Sequence, residues 1–274
     1  MNNKDEKVIQ EFGEEWTKFN YFNVDRQKIK ESFDQYFHLF PWDLLPEDAE
    51  GFDMGCGTGR WAGFVAPKVK LLNCIEPSAA IQSAQTNLSS NQNIRFYKET
   101  TDECSITPSS QDFGYCLGVL HHIPNTQKAL IDCTKLLKSG APFLLYLYYN
   151  FENKPFWFRA IWKVSDYMRM LISISPKPLK HLMCNLIAVL IYFPLSRLAY
   201  LLEKIGLNVE NIPLADYRNK PFYQSKNDAL DRFGTRLEQR FSKSQITDML
   251  MNAGCKNIKF SNQTPFWCCV SIKE

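Results

Sequence analysis

The stretch that decides the fold is Phe52-Asp53-Met54-Gly55-Cys56-Gly57-Thr58-Gly59. It is a short run ending in an acid, followed by three glycines at alternate positions. The pattern predicts a strand that stops near Met54, a tight glycine loop, and a helix that starts near Arg60. Gly55 and Gly57 lack a Cβ, so they can take positive φ and let backbone N–H groups come close to a ligand. A loop of this kind at the carboxyl end of a first parallel strand suits a nucleotide-like cofactor. A dinucleotide fingerprint reads G-x-G-x-x-G, and from Gly55 its third glycine falls on Arg60. A P-loop needs a Lys after its last glycine, and none follows Gly59. Asp53 stands where a phosphate would meet like charge, so a cationic ligand fits better.

With the acid in front, the run D-M-G-C-G-T-G closely resembles the first motif of class I S-adenosylmethionine-dependent methyltransferases. The donor in that family carries an ammonium and a sulfonium and no phosphate. The resemblance covers residues 1–149 and 242–274. It implies an α/β fold with a doubly wound, seven-stranded, mostly parallel sheet, and it implies S-adenosylmethionine as cofactor. Glu76 lies 23 residues beyond Asp53, at the end of the apolar run Lys70 to Ile75. An acid about 20 residues after the loop, closing the second strand, binds ribose hydroxyls. The cofactor set read this way is Asp53, Gly55, Cys56, Gly57, Glu76 and Pro77. Thr100, Thr101 and Leu117 complete it, with Asp102 as an alternative to the two threonines. The family often carries an acid near position 100 for the adenine amino group, and this chain has Thr there.

The bulk numbers agree with an ordinary globular chain. Of 274 residues, 45% are hydrophobic and 22% charged. A net charge of +3 is too small to argue for nucleic acid as a partner. Nine cysteines show no C-x-x-C pair and no zinc spacing, so no metal site is expected, and reduced buried thiols are. No signal peptide is read in the polar start, and a cytoplasmic protein is expected.

Three segments are expected. Residues 1–50 read as a helical preface in which Phe12, Trp16, Phe19 and Phe22 recur at helical steps. In many class I enzymes such a helix closes over the cofactor, which makes Trp16 and Phe19 lid candidates. Residues 51–149 and 242–274 form the cofactor domain. Within it, Ser78 is expected to cap a helix running to Ser90, and the fifth strand to run from Phe143 to Tyr149. Residues 150–241 are a mainly helical insertion. Residues 182–195 form an apolar run of 14, shorter than the ~20 a spanning helix needs. A buried lid helix, a subunit interface or a membrane-surface element all fit it. Residues 151–206 carry eight Lys and Arg against three acids, a balance that favours anionic lipid surfaces. Peripheral membrane contact through 156–204 is therefore an open expectation.

The segments 213–218 and 228–233 read as polar loops, and loops often carry binding groups. Tyr217, Asp231 and Arg232 are substrate-contact candidates. His122, just beyond the fourth-strand run Asp112 to Pro124, and Asp216 are candidate bases for an oxygen nucleophile. The acceptor is expected to be a small molecule, a glycan or a lipid-linked compound. Two rival functions are a cofactor-binding scaffold without turnover and a nicotinamide dehydrogenase, the latter disfavoured by Arg60.

Overall fold

A computed structural model describes residues 3–20 and 24–274; Phe22 of the aromatic stripe lies outside the described residues. The chain divides into two compact units. One takes in the chain up to Asn150 and resumes from Gln239 to Glu274; the other is Phe151–Glu238.

The first unit opens with helices α1 (Glu6–Lys18) and α2 (Arg26–Phe37). Asp5 caps α1 by accepting from the Lys7 and Val8 N–H groups, and Asp25 caps α2 through Gln27 N–H. The sheet and its crossovers follow: β1 (Glu50–Met54), α3 (Ala62–Val65), β2 (Leu71–Ile75), α4 (Ala80–Asn87), β3 (Ile94–Tyr97), β4 (Phe113–Leu117), α5 (Thr126–Thr134) and β5 (Pro142–Tyr146). Seven strands stand in the order β3-β2-β1-β4-β5-β7-β6 once β6 (Cys255–Phe260) and β7 (Cys269–Lys273) are added. The pairs β1–β2, β1–β4, β2–β3 and β4–β5 are parallel. Strand β7 enters antiparallel between β5 and β6. This is the doubly wound, mostly parallel sheet expected from the sequence.

The reason lies in burial. A parallel strand covered by helices on both faces needs a continuous apolar run. Strand β4 is buried at all five positions, and β1 and β5 at four of five. Gly51 faces the Phe113 ring, and Gly114 faces the Phe52 ring, so each glycine gives its neighbouring strand room for an aromatic side chain. Order reverses between β1 and β4, and the carboxyl ends of β1 and β2 lie beside that switch.

Two boundaries differ from the sequence reading. Ser78 does not cap α4; it lies just outside, and its Oγ accepts the Ala80 N–H at 3.1 Å. Strand β5 stops at Tyr146, because beyond it the chain turns to pair Tyr149 with Phe241. All nine cysteines are free thiols, eight of them buried. Where the domain resumes, Ser242 and Gln245 form a reciprocal capping box on α10 (Lys243–Asn252), and Gly254 takes φ +71° at its end.

The second unit is helical: α6 (Phe156–Ser173), α7 (Lys177–Ile187), α8 (Phe193–Lys204) and α9 (Phe222–Gly234). A π-helical turn over Ala188–Tyr192 joins α7 to α8, so Lys177–Lys204 is one continuous helix of 28 residues. The apolar run of 14 is its middle, and the length argument drawn from the run alone does not apply. Residues 228–233 are not a loop either. They are the last turns of α9, whose inward side mixes Ser225, Asn227 and Arg232 with Ala229, Leu230 and Phe233 and so blurs the apolar stripe by which a helix is recognised.

Candidate functional site

The site is built at the carboxyl ends of β1, β2 and β4. Gly55, Gly57 and Gly59 all take positive φ, at +77°, +54° and +76°. Four of the loop's N–H donors are spent inside the protein. Gly55 and Cys56 both donate to the Ile75 carbonyl, at 2.8 and 3.0 Å, and Gly59 donates to Cys56 at 2.8 Å. Gly57 donates to Glu76 Oε2 at 3.1 Å. The expectation that these N–H groups reach a ligand is corrected: the loop offers its close backbone and its shape. That also fits a ligand without phosphate, since phosphate sites are made of free N–H groups.

Two carboxylates end the first two strands. Asp53 is 2% exposed, and its Oδ2 makes no hydrogen bond. Burial pushes its pKa up from 3.8 to about 8; the nearby Tyr115 phenol pulls it back, and Glu76 adds to the rise. Such a group wants a cation beside it. Glu76 is buried too, and its Oε1 accepts the Ser78 N–H at 2.9 Å. With one bond on each oxygen, it keeps lone pairs for two further donors. The Cys56 and Cys74 thiols meet below the loop, and burial together with that contact raises the Cys56 pKa well above its usual value.

Helix α1 straps across these strand ends. The Trp16 indole lies 3.8 Å from the point where a Cβ on Gly57 would stand. Gly13 packs against Ser78 and Ala79, with the Ala79 nitrogen 3.0 Å from a would-be Cβ, so only glycine admits this approach. Phe12 packs on His122 with ring centroids 4.7 Å apart. Before the helix, the Asn3 N–H donates to Asp102 Oδ2 at 2.8 Å, and its side chain exchanges two bonds with the backbone of Asn125. Phe19 is buried at the helix end.

The remaining sequence candidates fall as follows. The Thr100 hydroxyl donates to Asp102 Oδ1 at 2.8 Å, while the buried Thr101 hydroxyl has no partner. Asp102 is held by Asn3, Thr100 and Lys128, and despite partial burial these hold its carboxyl below its usual pKa. Pro77 is half-buried and Leu117 buried at the end of β4. His121 is fully buried and stacks on Tyr148 at 3.8 Å; desolvation, then His122 and Arg240, keep it neutral. Tyr146 packs edge-on to Tyr36, and Tyr149 against Phe266.

In the second unit, Asp216 is exposed and shares a 3-10 turn with Tyr217, whose ring packs against Tyr192 at 5.1 Å. Asp231 and Arg232 lie on α9. Arg232 is buried between Asp166, at 3.4 Å, and Glu238. Sequence reasoning missed Asn3, Phe12, Gly13 and Tyr115. Only Phe12 carried a signal, as one step of the aromatic stripe. Among the described residues no cluster of three or more metal-ligating side chains occurs.

Comparison with known proteins matches residues 52–145 to the family described as "Methyltransferase domain". That span holds the glycine loop, both carboxylates and β4. Over residues 52–145 the chain therefore carries a methyltransferase domain. Among similar solved structures is a SAM-dependent methyltransferase from Methanosarcina mazei, 17% identical with a TM-score of 0.50, the match covering 86% of this chain and 98% of that one. Another, from Thermotoga maritima, is 13% identical with a TM-score of 0.48, covering 95% and 100%. A third, from Aquifex aeolicus, is 12% identical with a TM-score of 0.47, covering 91% and 97%. Likeness at this level speaks to the fold alone. A search of the curated proteins gives no match.

The methyltransferase domain fits its cofactor, S-adenosylmethionine, on structural grounds. The unpartnered Asp53 Oδ2 suits a cationic group, and Glu76 retains acceptors for hydroxyl donors.

Proposed function

We propose that this protein transfers a methyl group from S-adenosylmethionine to a small-molecule, glycan or lipid-linked acceptor. The observation that carries this reading is the buried Asp53 carboxylate with a free oxygen, one strand away from Glu76. Asp53 takes the ammonium end of the donor, and Glu76 takes the ribose. The donor brings its own electrophile, a methyl on sulfonium. The chain supplies alignment and exclusion of water, and in-line alignment is worth up to ~7–11 kcal/mol of barrier. Helix α1, through Trp16 and Phe12, provides the cover.

An oxygen nucleophile also needs its proton removed, and His122 or Asp216 serves as that base. Tyr217, Asp231 and Arg232 are proposed acceptor contacts, with Arg232 the weakest of them because its charge is already engaged. The reading is tested by incubating the protein with labelled methyl donor and a fractionated extract, then identifying the labelled product. A labelled product that disappears in Asp53→Ala supports it. Donor binding without any labelled product favours the scaffold reading instead.

A further inference from the structure

Unit Phe151–Glu238 turns many large apolar side chains outward. On α6 the buried positions are Arg169, Ile172 and Ser173, with Asp166 half-buried beside Arg169. The exposed positions are large and apolar: Trp157, Ile161 and Leu171 recur along one side, Leu171 at 68% exposure. The continuous helix Lys177–Lys204 has an inward side of its own, with Cys184, Ile187, Ala188 and Tyr192 buried beside Lys180 and Ser196. Its other side is large, apolar and exposed: Leu182, Leu190 and Leu201 stand at 56%, 66% and 60%. Polar groups that face inward are satisfied there: Arg169 donates to Asp166 and to the carbonyls of Thr235 and Arg236, and Arg232 pairs with Asp166 and Glu238.

A helix of a water-soluble domain turns its apolar side to the core. Here α6 and Lys177–Lys204 each turn an apolar side outward. At 1.5 Å per residue they run about 27 and 42 Å. Soluble monomers rarely expose contiguous apolar surface on that scale. The same helices supply the charge. Residues 151–206 hold eight Lys and Arg against three acids; two of the basic residues, Arg169 and Lys180, are buried, and one of the acids, Glu203, is neutralised by Arg218 at 2.7 Å. Arg159 and Lys163 are exposed among the apolar residues of α6. Outward Trp, Leu and Ile interleaved with Lys and Arg is the composition of a helix that lies in the headgroup–acyl boundary of an anionic membrane.

We propose that unit Phe151–Glu238 docks on an anionic lipid bilayer, burying the outward faces of α6 and Lys177–Lys204 in its surface. The proposal concerns a partner rather than the methyl-transfer chemistry, and it stands or falls separately from it. A second copy of the chain would cover apolar surface equally well but would set the exposed Arg159, Lys163 and Lys177 against like charge, whereas an anionic lipid surface attracts them.

The test is flotation of the full-length protein with phosphatidylcholine vesicles, with and without phosphatidylglycerol. Flotation with the anionic vesicles, weakened by salt, is expected. The triple variant Leu182→Gln/Leu186→Gln/Leu190→Gln should bind at least tenfold more weakly. These three side chains are exposed, so its thermal melt and its S-adenosylmethionine affinity should match the wild type. Arg159→Gln/Lys163→Gln should reduce the preference for phosphatidylglycerol. Failure to float with either vesicle, or equal binding by the triple variant, overturns the proposal. So does a dimer in vesicle-free buffer that the triple variant dissociates while vesicle binding is absent.

Discussion

Glu76 closes the glycine loop from the tip of the neighbouring strand: its Oε2 accepts the Gly57 N–H at 3.1 Å while its Oε1 accepts the Ser78 N–H at 2.9 Å. One carboxylate thus fixes the loop after β1 to the turn after β2 and still presents lone pairs outward. A hydrogen bond to a charged group contributes about 1.5–3 kcal/mol. Glu76→Gln keeps the size, loses the charge and leaves an amide NH₂ facing one of the two N–H donors. It should lower S-adenosylmethionine affinity by at least about tenfold, equivalent to ~1.4 kcal/mol. Titration calorimetry reads the affinity. A thermal melt should show a smaller accompanying loss, because the loop loses one of its two ties.

Asp53 makes stability and donor binding respond to pH in opposite directions. Burial lifts its pKa from 3.8 to about 8, so the folded protein holds a proton there that the unfolded chain has released. With more protons bound to the folded state, stability falls as pH rises between those two values and levels off above the upper one. Asp53→Asn keeps the shape and removes this slope, so its melting temperature should exceed that of wild type at pH near 8. The methyl donor needs the ionised form. Wild-type affinity should therefore rise with pH up to about 8, and binding near neutrality should release a proton. Calorimetry in buffers of different ionisation enthalpy checks both. Asp53→Ala and Asp53→Asn should abolish donor binding and retain the sheet by circular dichroism.

Trp16 is the part of α1 that stands over the glycine loop, with its indole 3.8 Å from the Cβ position of Gly57. The helix itself is anchored elsewhere, by Gly13 against Ala79 and by Asn3 against Asp102 and Asn125. Trp16→Ala should leave the helix in place and uncover the loop. The expected result is faster release of S-adenosylmethionine, on the order of tenfold, with little change in the association rate. Stopped-flow fluorescence measures both rates.

The sequence exposes the sheet because buried parallel strands are written as continuous apolar runs closed by glycine or proline. The runs that form β2 and β4 need no partner to be read, whereas the fifth reads three residues too far, to Tyr149, because its turn toward Phe241 leaves no local mark. Asp53 and Glu76 are legible for a related reason: each ends such a run. The strap over the site is not legible, since its bonds join residues 99 and 122 positions apart and no local pattern encodes them. The helical unit misleads for a physical reason. Periodicity reports a helix when one side is apolar and buried, whereas α9 buries Asn227 and Arg232. The segment containing Asp231 and Arg232 therefore looks like a solvated turn until Asp166 and Glu238 are seen to receive the guanidinium.

Arg232 is where a structural role and an acceptor role separate by measurement. Its guanidinium sits between Asp166 and Glu238 and over the Trp162 ring, 5.5 Å from the centroid, and the Glu238 side chain is only 1% exposed. Removing one partner of a buried pair leaves the other charge uncompensated, at a cost of about 3–5 kcal/mol. Arg232→Met should therefore unfold the helical unit at lower denaturant, visible as an early transition. The double change Arg232→Met/Glu238→Gln removes both charges and should recover most of that loss. If acceptor contact were the residue's main task, the single variant would melt like wild type and raise the acceptor KM, and the second substitution would rescue nothing. The double-mutant cycle, read by urea unfolding of the full-length protein, decides between the two roles.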